Sequence, residues 1–373
     1  MAKQYRVCIT GGHLTPALAV IDEIKKRALP WQIIFVGRTY ALEGSRAHSQ
    51  EYEEMHKRNI LFLSLLAGRV SRVLTPWSLV SWIKIPLGLV QAFWYIAKHH
   101  PSLVLSFGGY VALPIAVASW FLGIPVITHE QTMRMGLANR IIAMLAKKVL
   151  VSFPETTNVS NTSKVVVTGS PIRDELFYAP RKPSFSVVEG IPIIYVTGGS
   201  TGAVTLNERI YPIIDRLLPA WLIIHQTGNS SRFGDENIFK KQLSKKYRSR
   251  YVVKPYFDVS DVAWIYKHAD LVIGRCGANT ICELAVLGKT ALLVPLPWSA
   301  GQEQMANAQW LASQGSAMVL SQPDASANVL LNTIDVMWKK REAHRAAAIR
   351  LQKSFITNGA ANVVDTLLTQ DVA

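Results

Sequence analysis

Cysteines are scarce in this sequence, and the way they are spaced limits the possible folds. Three are present among 373 residues, Cys8, Cys276 and Cys282, with neither CxxC nor Cys/His spacing. An odd number so placed excludes a disulfide framework and a zinc cluster as the basis of the fold. A reducing cytosol is the compartment that this cysteine usage predicts.

Acidic residues are also few. Lys and Arg number 40 against 25 Asp and Glu, which gives a formal net charge of +15 and predicts an anionic partner. Between residues 60 and 153, eight basic residues stand against a single acid, Glu130. Because this stretch also contains apolar residues 74–97, the charge favours a lipid surface. Nucleic acid is not expected, since no basic motif interleaved with aromatic residues is present.

Long uninterrupted apolar runs are absent too. Residues 74–97 approach membrane-spanning length, but Pro76, Lys84 and Pro86 interrupt them. We expect an interfacial segment with its tryptophans near lipid head groups, and a core helix under a loop is the alternative. The first ten residues are typical of a strand start and not of a signal peptide.

What the sequence does contain is a regular alternation of β-rich apolar runs with helix-like stretches. An apolar fraction of 49% over this length predicts two domains, each with a core. The alternation predicts the α/β class, with doubly wound parallel sheets. Predicted strands in the first half are 6–10, 32–36, 103–106, 126–128 and 149–152. Those in the second half are 165–168, 193–197, 222–226, 251–254, 271–273 and 291–294. We predict domains over 1–157 and 158–357, with a C-terminal helix at 358–373 that returns to the first domain.

Glycine turns recur at predicted strand ends. "VCITGGHLTPALAV" and "IIYVTGGSTGAVTLNE" share a strand, a Thr-Gly-Gly turn and a helix, and "FGGYVALP" is a third such turn. None reads GxGxxG or GK[ST], which argues against dinucleotide and P-loop sites. Backbone amides after Gly199, with the Ser200 and Thr201 hydroxyls, are suited to bind phosphate. A tight turn without a ligand is the alternative.

Two further side chains lie at positions suited to ligand binding or catalysis. Glu283 follows the turn "GRCGAN" by helical spacing and is suited to accept hydrogen bonds from a ribose diol. A solvated helix residue is the alternative. His13 opens a helix directly after Gly-Gly, where the helix dipole lowers the pKa of its imidazole and keeps the ring neutral, as a general base requires. A structural histidine is the alternative.

Taken in order, these stretches resemble the MurG family of bacterial glycosyltransferases through nearly the whole chain. The quoted matches are "TGGHLTPALAV", "SFGGYVALP", "GIPVITHEQ", "GLANR", "VTGSPIR", "GGSTGAVTLN", "HQTG", "ADLVIGRCGANTICELAVLG" and "GQEQMANA". The resemblance implies a GT-B fold, two Rossmann-like domains facing a cleft. It also implies an inverting enzyme that transfers N-acetylglucosamine from UDP-N-acetylglucosamine to an undecaprenyl-diphosphate-linked muramoyl-pentapeptide in peptidoglycan synthesis.

The same resemblance implies residue roles. The base is expected at His13, with His129 and Glu130 as substitutes. Donor contacts are expected at Arg173, Ser200, Thr201, Gly202, Asn207, Val259, Arg275, Ala278, Thr280, Glu283, Glu303 and Gln304, with uracil at the 256–262 connection. Acceptor contacts are expected at Thr10, Gly11, Gly12, His13, Gly108, Gly109, Tyr110 and Thr132. Membrane contacts are expected at Leu79, Trp82, Lys84, Leu87 and Trp94.

The chain departs from the family pattern at several of these places. Cys8 and Ile9 replace the family's first glycine pair, and Thr132 replaces the asparagine of HEQN. A related transferase acting on another membrane lipid, and a catalytically silent nucleotide-sugar binder, therefore stay open as alternatives.

The cellular setting follows from the resemblance as well. No cofactor or divalent metal is expected in the chemical step. The expected partners are the two substrates, an anionic inner-membrane surface and other cell-wall synthesis proteins. We expect a peripheral protein on the cytoplasmic face of the bacterial plasma membrane.

Overall fold

The computed structural model describes residues 5–40, 48–66, 76–199, 202–228 and 243–369. The chain divides into two compact units, Met1–Arg173 with Thr357–Ala373, and Asp174–Ile356. Each unit is built around its own parallel sheet.

The first sheet has seven strands among the described residues, in the order β3-β2-β1-β4-β5-β6-β7. They are β1 Arg6–Thr10, β2 Gln32–Gly37, β3 Leu61–Ser64, β4 Leu103–Ser106, β5 Val126–Glu130, β6 Lys148–Val151 and β7 Val165–Val167. The helices that follow strands are α1 Leu14–Lys26, α2 Gln50–Lys57, α3 Pro76–His99, α4 Ala112–Phe121 and α5 Leu137–Leu145. The central strands are apolar and buried on both faces, as parallel strands covered by helices require.

The second sheet has six strands among the described residues, in the order β10-β9-β8-β11-β12-β13. They are β8 Ile193–Thr197, β9 Leu222–Gln226, β10 Tyr251–Lys254, β11 Leu271–Gly274, β12 Ala291–Leu293 and β13 Ala317–Val319. The helices are α6 Val204–Leu217, α7 Val259–His268, α8 Ala278–Val286, α9 Glu303–Ser313, α10 Ala327–Lys339 and α11 Arg341–Ser354. All strand pairs in both sheets are parallel, which confirms the predicted fold class.

The domain boundary lies later than the sequence pattern indicated. The predicted strand at 165–168 was assigned to the second domain, yet β7 pairs with β6 in the first sheet. The first unit therefore extends to Arg173, beyond the predicted end at residue 157. The misplacement arose because the polar stretch 154–163 is a loop within one sheet and not a linker between two.

The C-terminal helix, α12 Gly359–Leu368, lies in the first unit. Val363, Val364 and Leu367 are fully buried in the core that α1 forms with the sheet. A Cβ on Gly359 would lie 2.3 Å from the carbonyl oxygen of Ser170, so this helix starts in direct contact with the chain after β7. The guanidinium of Arg27 in α1 pairs with Asp365 at its surface.

Leu367→Ala is expected to lower the free energy of unfolding of the first unit by about 2–5 kcal/mol, because it removes a fully buried side chain and leaves a cavity. Urea unfolding measures the effect. Ile349→Ala, on an exposed position of α11, is the control and should change stability by less than about 0.5 kcal/mol. Equal effects of the two substitutions would contradict the packing of α12 in the first core.

Candidate active site

In each unit, two loops follow neighbouring strands at the point where the strand order reverses. In the first sheet, turns 11–13 and 108–110 follow the neighbouring strands β1 and β4. In the second sheet, Gly198 and Gly199 follow β8, and residues 275–277 follow β11, which is the neighbour of β8. Open parallel sheets bind ligands at this point, outside the carboxyl ends of the strands.

The two turns of the first unit are in contact. Gly12, at φ +119°, lies so close to the second turn that a Cβ there would be 2.7 Å from the carbonyl oxygen of Gly108. Gly108, at φ +81°, lies against the side chain of Asn139, whose Nδ2 would be 2.7 Å from an added Cβ. A side chain at Gly12 would separate the turns, and one at Gly108 would displace Asn139, so both glycines are needed for this close packing.

Glu51 in α2 contacts the first turn, and the sequence analysis did not single it out. Its carboxylate accepts hydrogen bonds from the backbone amides of Gly12, at 2.8 Å, and Arg38, at 3.2 Å. The side chain is buried, with an exposed fraction of 8%. The amide of Gly12, predicted to bind the acceptor, is therefore already engaged.

Glu130 at the end of β5 is saturated with hydrogen bonds. Oε1 accepts from the amides of Gln131 and Thr132 and from the Thr132 hydroxyl, at 2.9–3.0 Å. Oε2 accepts from the Gly136 amide at 3.2 Å and from Asn139 Nδ2 at 2.9 Å. A buried carboxylate with five donors organises the loop before α5, and both of its oxygens are already engaged inside the protein, which favours a structural role for it.

His129 is fully buried and cannot reach a substrate without rearrangement. Its Nε2 lies 3.0 Å from the carbonyl oxygen of Gly169, so this nitrogen carries the proton. Burial lowers the pKa of the imidazole to about 4, and the ring is neutral at pH 7. Its placement indicates a structural role in holding the chain after β7.

His13 is the exposed member of this group and is the N-cap residue of α1. Desolvation lowers the pKa of its imidazole, whereas the charges of Glu130 and Glu51 act in the opposite direction. The result is a neutral, accessible imidazole beside two carboxylates.

The other predicted acceptor residues differ in accessibility. Thr132 is buried, and its hydroxyl lies 2.9 Å from Glu130 Oε1 and 2.7 Å from the carbonyl oxygen of Arg134, both acceptors inside the loop. Thr10 is also fully buried. Tyr110 is half-buried with Arg38 over its ring, 5.5 Å from the centroid. The turn 108–110 thus offers more accessible surface than Thr10 or Thr132.

In the second unit, the turn after β8 contacts the end of β9. A Cβ on Gly202 would lie 2.6 Å from the carbonyl oxygen of Thr227, so a side chain there would displace the turn. Gln226 Nε2 donates to the carbonyl oxygen of Gly199 at 3.3 Å. Ser200 and Thr201, predicted to bind phosphate, lie outside the described residues.

Glu283 in α8 is half-buried and accepts a hydrogen bond from the hydroxyl of Tyr266 at 3.0 Å. Tyr266 is buried, and desolvation followed by the negative charge of Glu283 raises the pKa of its hydroxyl well above the usual value. The phenol therefore stays protonated and donates to the carboxylate. Tyr266 orients Glu283, a role that sequence spacing alone does not reveal.

Arg275 and Asn207 are buried and engaged within the second unit. The Arg275 guanidinium donates to the Val294 carbonyl at 2.9 Å, the Thr205 hydroxyl at 2.5 Å and Gln322 Oε1 at 2.6 Å. Desolvation lowers the pKa of this arginine. These contacts favour a role in joining β12, α6 and the loop before α10 over the predicted donor contact.

Asn207 has an exposed fraction of 0%. Its Nδ2 donates to the carbonyl oxygen of Thr227 at 2.9 Å, and its Oδ1 lies 3.0 Å from Nε2 of His225. Nδ1 of His225 in turn lies 2.9 Å from the hydroxyl of Tyr251. This buried chain connects α6, β9 and β10, so Asn207 also fits a structural role better than a donor contact.

Gln304 contacts the turn 275–277 that follows β11. Its Oε1 accepts from the amide of Leu296 at 3.0 Å and from that of Cys276 at 3.4 Å. Asn307, one helical turn further along α9, donates to the Cys276 carbonyl at 3.1 Å. Four other predicted donor residues occupy helix starts or first turns, namely Val259, Ala278, Thr280 and Glu303.

The predicted membrane segment forms most of α3. Leu79, Trp82 and Lys84 lie on this helix, but their side chains are outside the described residues. Leu87 and Trp94 are exposed, and so are Trp120 and Phe121 at the end of α4, which contacts α3. Among the described residues, no helix has both the length and the apolar character needed to span a bilayer.

Comparison with known proteins relates this arrangement to one family. The sequence matches the glycosyltransferase family 28 N-terminal domain over residues 7–151 and the C-terminal domain of the same family over residues 193–364.

Within the described residues, no group of three or more His, Cys, Asp or Glu side chains could hold a metal ion.

Relatives match nearly the whole chain. A protein of Clostridium tetani, named UDP-N-acetylglucosamine--N-acetylmuramyl-(pentapeptide) pyrophosphoryl-undecaprenol N-acetylglucosamine transferase, is 31% identical over 96% of this chain and 95% of its own length. A Treponema denticola protein of the same name is 31% identical over 87% and 85%. The crystal structure of Acinetobacter baumannii MurG superposes with a TM-score of 0.71 at 27% identity, covering 98% of this chain and 100% of that one.

These matches confirm the predicted GT-B fold class, and with it the family resemblance. The order of turns, strands and helices agrees with both domain descriptions. The chain therefore belongs to glycosyltransferase family 28 and, within it, to the MurG family.

Proposed function

We propose that the chain transfers N-acetylglucosamine from UDP-N-acetylglucosamine to the C4 hydroxyl of an undecaprenyl-diphospho-MurNAc-pentapeptide in peptidoglycan synthesis. The observation that carries this proposal is the near-full-length identity to relatives that are named for this transfer. The positions of His13 and Glu283 at strand-order reversals agree with it.

The donor binds in the second unit. Glu283, oriented by Tyr266, accepts hydrogen bonds from the ribose hydroxyls, and the amides of the turn 198–202 bind the diphosphate. The uracil lies at the 256–262 connection, whose backbone is fixed where the Phe257 amide donates to Gln226 Oε1 at 3.4 Å.

The acceptor binds in the first unit, with His13 as general base. The acceptor hydroxyl attacks the anomeric carbon, a C–O bond to this carbon forms as the bond to UDP breaks, and the hydroxyl proton passes to the His13 imidazole. Of the two glycine turns, 108–110 takes the acceptor diphosphate, since the Gly12 amide is engaged by Glu51.

Charge on the departing UDP is stabilised by protein donors, with no divalent metal in the chemical step. Arg173, the last residue of the stretch Met1–Arg173 of the first unit, stays a predicted contact of the donor. Its Nε–H is buried and has no hydrogen-bond partner among the described residues. A buried guanidinium N–H left unpaired in the protein is available to a ligand oxygen.

The exposed apolar side chains of α3 and α4 bind the head-group region of an anionic membrane. Leu87, Val90 and Trp94 on α3 are 53–69% exposed, and Lys98 lies 4.6 Å from the Trp94 ring centroid. Cations beside exposed tryptophan and leucine suit a surface of anionic lipids. This supports a peripheral location at a membrane surface, and the cytoplasmic face of the plasma membrane is part of the proposal.

Leu87→Glu combined with Trp94→Glu is expected to weaken binding to phosphatidylglycerol vesicles by about tenfold or more, because each change removes an apolar contact and adds a repelled charge. Vesicle co-sedimentation measures the loss. Val336→Glu, on an exposed position of α10 in the second unit, should leave binding unchanged. If all these variants sediment equally with the vesicles, the α3 surface is not the contact.

Product analysis tests the proposed function. The protein is incubated with radiolabelled UDP-N-acetylglucosamine or UDP-glucose, and with either the undecaprenyl-linked acceptor or diacylglycerol. Labelled disaccharide-lipid from the first sugar and first acceptor is the expected product. Transfer to diacylglycerol alone would identify a different transferase, and tight UDP binding without any product would identify a silent binder.

A further inference from the structure

The carboxylate of Glu51 occupies the position that an anion would take at the first glycine turn. It lies between the ends of β1 and β2 and accepts one amide hydrogen bond from the chain after each strand, from Gly12 and from Arg38. With an exposed fraction of 8%, it is enclosed by protein. Backbone amides that converge on one negative group in this way form an anion site.

The glycines around this carboxylate are matched to it. A Cβ on Gly11, or one on Gly37, would lie 2.7 Å from Glu51 Oε2. That distance is shorter than any tolerated contact, so a side chain at either position would expel the carboxylate. Glycine at the end of both strands thus leaves room for Glu51.

The start of α2 fixes Glu51 in place. Ser49 caps this helix, since its hydroxyl oxygen accepts from the Tyr52 amide at 3.1 Å. The same hydroxyl donates to the carbonyl oxygen of Arg38, and the Ser49 amide donates to the carbonyl oxygen of Thr39 at 2.8 Å. Glu51 lies in the first helical turn, where a negative charge is also favoured by the helix dipole.

We propose that Glu51 is a positioning residue for the transfer reaction: it fixes the turn that presents His13 and, by filling the anion site of that turn, excludes the acceptor diphosphate from it. This inference rests on the proposed function. A phosphate at the same amides would meet a like charge within a few ångströms, which is strongly unfavourable. The acceptor diphosphate is thereby confined to the turn 108–110.

The charge of Glu51 also acts on His13. The titratable groups that influence this imidazole are Glu51, Glu130 and His129, and the two carboxylates raise its pKa against the effect of desolvation. Removing the Glu51 charge therefore lowers the pKa of His13. Since the neutral ring is the active form of a base, activity then persists to lower pH.

Two variants test the proposal. Glu51→Gln keeps the size and one acceptor oxygen but loses the charge, and the acidic limb of the kcat/KM profile should move to lower pH by about 0.5–1 unit. Glu51→Ala frees both amides. Inorganic pyrophosphate is then titrated by calorimetry in the presence of saturating UDP, which fills the donor site. We expect pyrophosphate to bind this variant about tenfold more tightly than the unmodified protein. Glu53→Gln, an exposed charge loss on the same helix, is the matched control and should change neither quantity.

Each outcome bears on the proposal. An unmoved acidic limb in Glu51→Gln, or pyrophosphate affinity in Glu51→Ala equal to that of the unmodified protein, would overturn it. If Glu51→Ala does not fold, the pH profile and pyrophosphate affinity of Glu51→Gln decide, because loss of the charge alone should already increase the affinity. Absence of any turnover in the unmodified protein would instead refute the proposed function. In that case the pyrophosphate affinities of the unmodified protein and Glu51→Ala would still test the anion site.

Discussion

Replacing His13 with alanine is expected to lower kcat by roughly 10²–10⁴-fold, the range that general base catalysis contributes. His13 is exposed in the turn after β1, and desolvation lowers the pKa of its imidazole against the opposing charges of Glu130 and Glu51. Of the three candidate bases, it is the one that a substrate can reach: His129 is fully buried, and Glu130 is saturated with donors.

Steady-state kinetics across pH 5 to 9 check this expectation. The unmodified protein should lose kcat/KM as the pH falls through the pKa of His13, because the protonated ring cannot accept the hydroxyl proton. The alanine variant should lack this limb while binding UDP with normal affinity. His56→Ala, a change on the surface of α2, serves as control, and a His13→Ala enzyme with near-normal turnover and an unchanged profile would remove His13 from the mechanism.

Glu283→Ala should raise the Kd for UDP by about 10- to 100-fold, because hydrogen bonds to a charged group are worth about 1.5–3 kcal/mol. Glu283 is half-buried, and the Tyr266 hydroxyl already orients its carboxylate by a hydrogen bond. The side chain therefore loses little conformational freedom when the ribose binds. Titration calorimetry measures the affinity. Glu342→Gln, an exposed charge loss in the same unit, should have no effect.

A second nucleotide makes this test specific to the ribose. UDP that lacks both ribose hydroxyls should bind the unmodified protein weakly, and it should bind Glu283→Ala no worse than UDP itself. If the variant still discriminates strongly between the two nucleotides, another group holds the ribose.

The sheets could be predicted from the sequence where strands are buried on both faces. β1, β4, β8 and β9 are mostly apolar and almost fully buried, and their predicted bounds agree with the structure. The errors concern the sheet edges: β3 and β13 were not predicted, and β7 was assigned to the wrong domain. Edge strands are short and partly exposed, so their apolar pattern is weak, and their pairing depends on contacts distant in sequence.

The candidate site was predictable where a residue's position in a turn or helix determines its environment. His13 and Glu283 could be singled out because each follows a strand end at a fixed spacing. Glu51 and Tyr266 could not, because they come from α2 and α7 and meet the turns only through tertiary packing. Buried polar residues such as Asn207 look like ligand contacts in sequence, and only the folded structure shows that their partners are internal.

The return of α12 to the first unit has a consequence for synthesis of the chain on the ribosome. Residues 174–356 form an insertion within the first unit, and they leave the exit tunnel before the helix that completes the core around α1. The second unit can fold while translation continues, whereas the first keeps an apolar groove open until α12 emerges. A stop codon before residue 357 would therefore yield a polypeptide whose second unit can fold and whose first unit is prone to aggregation.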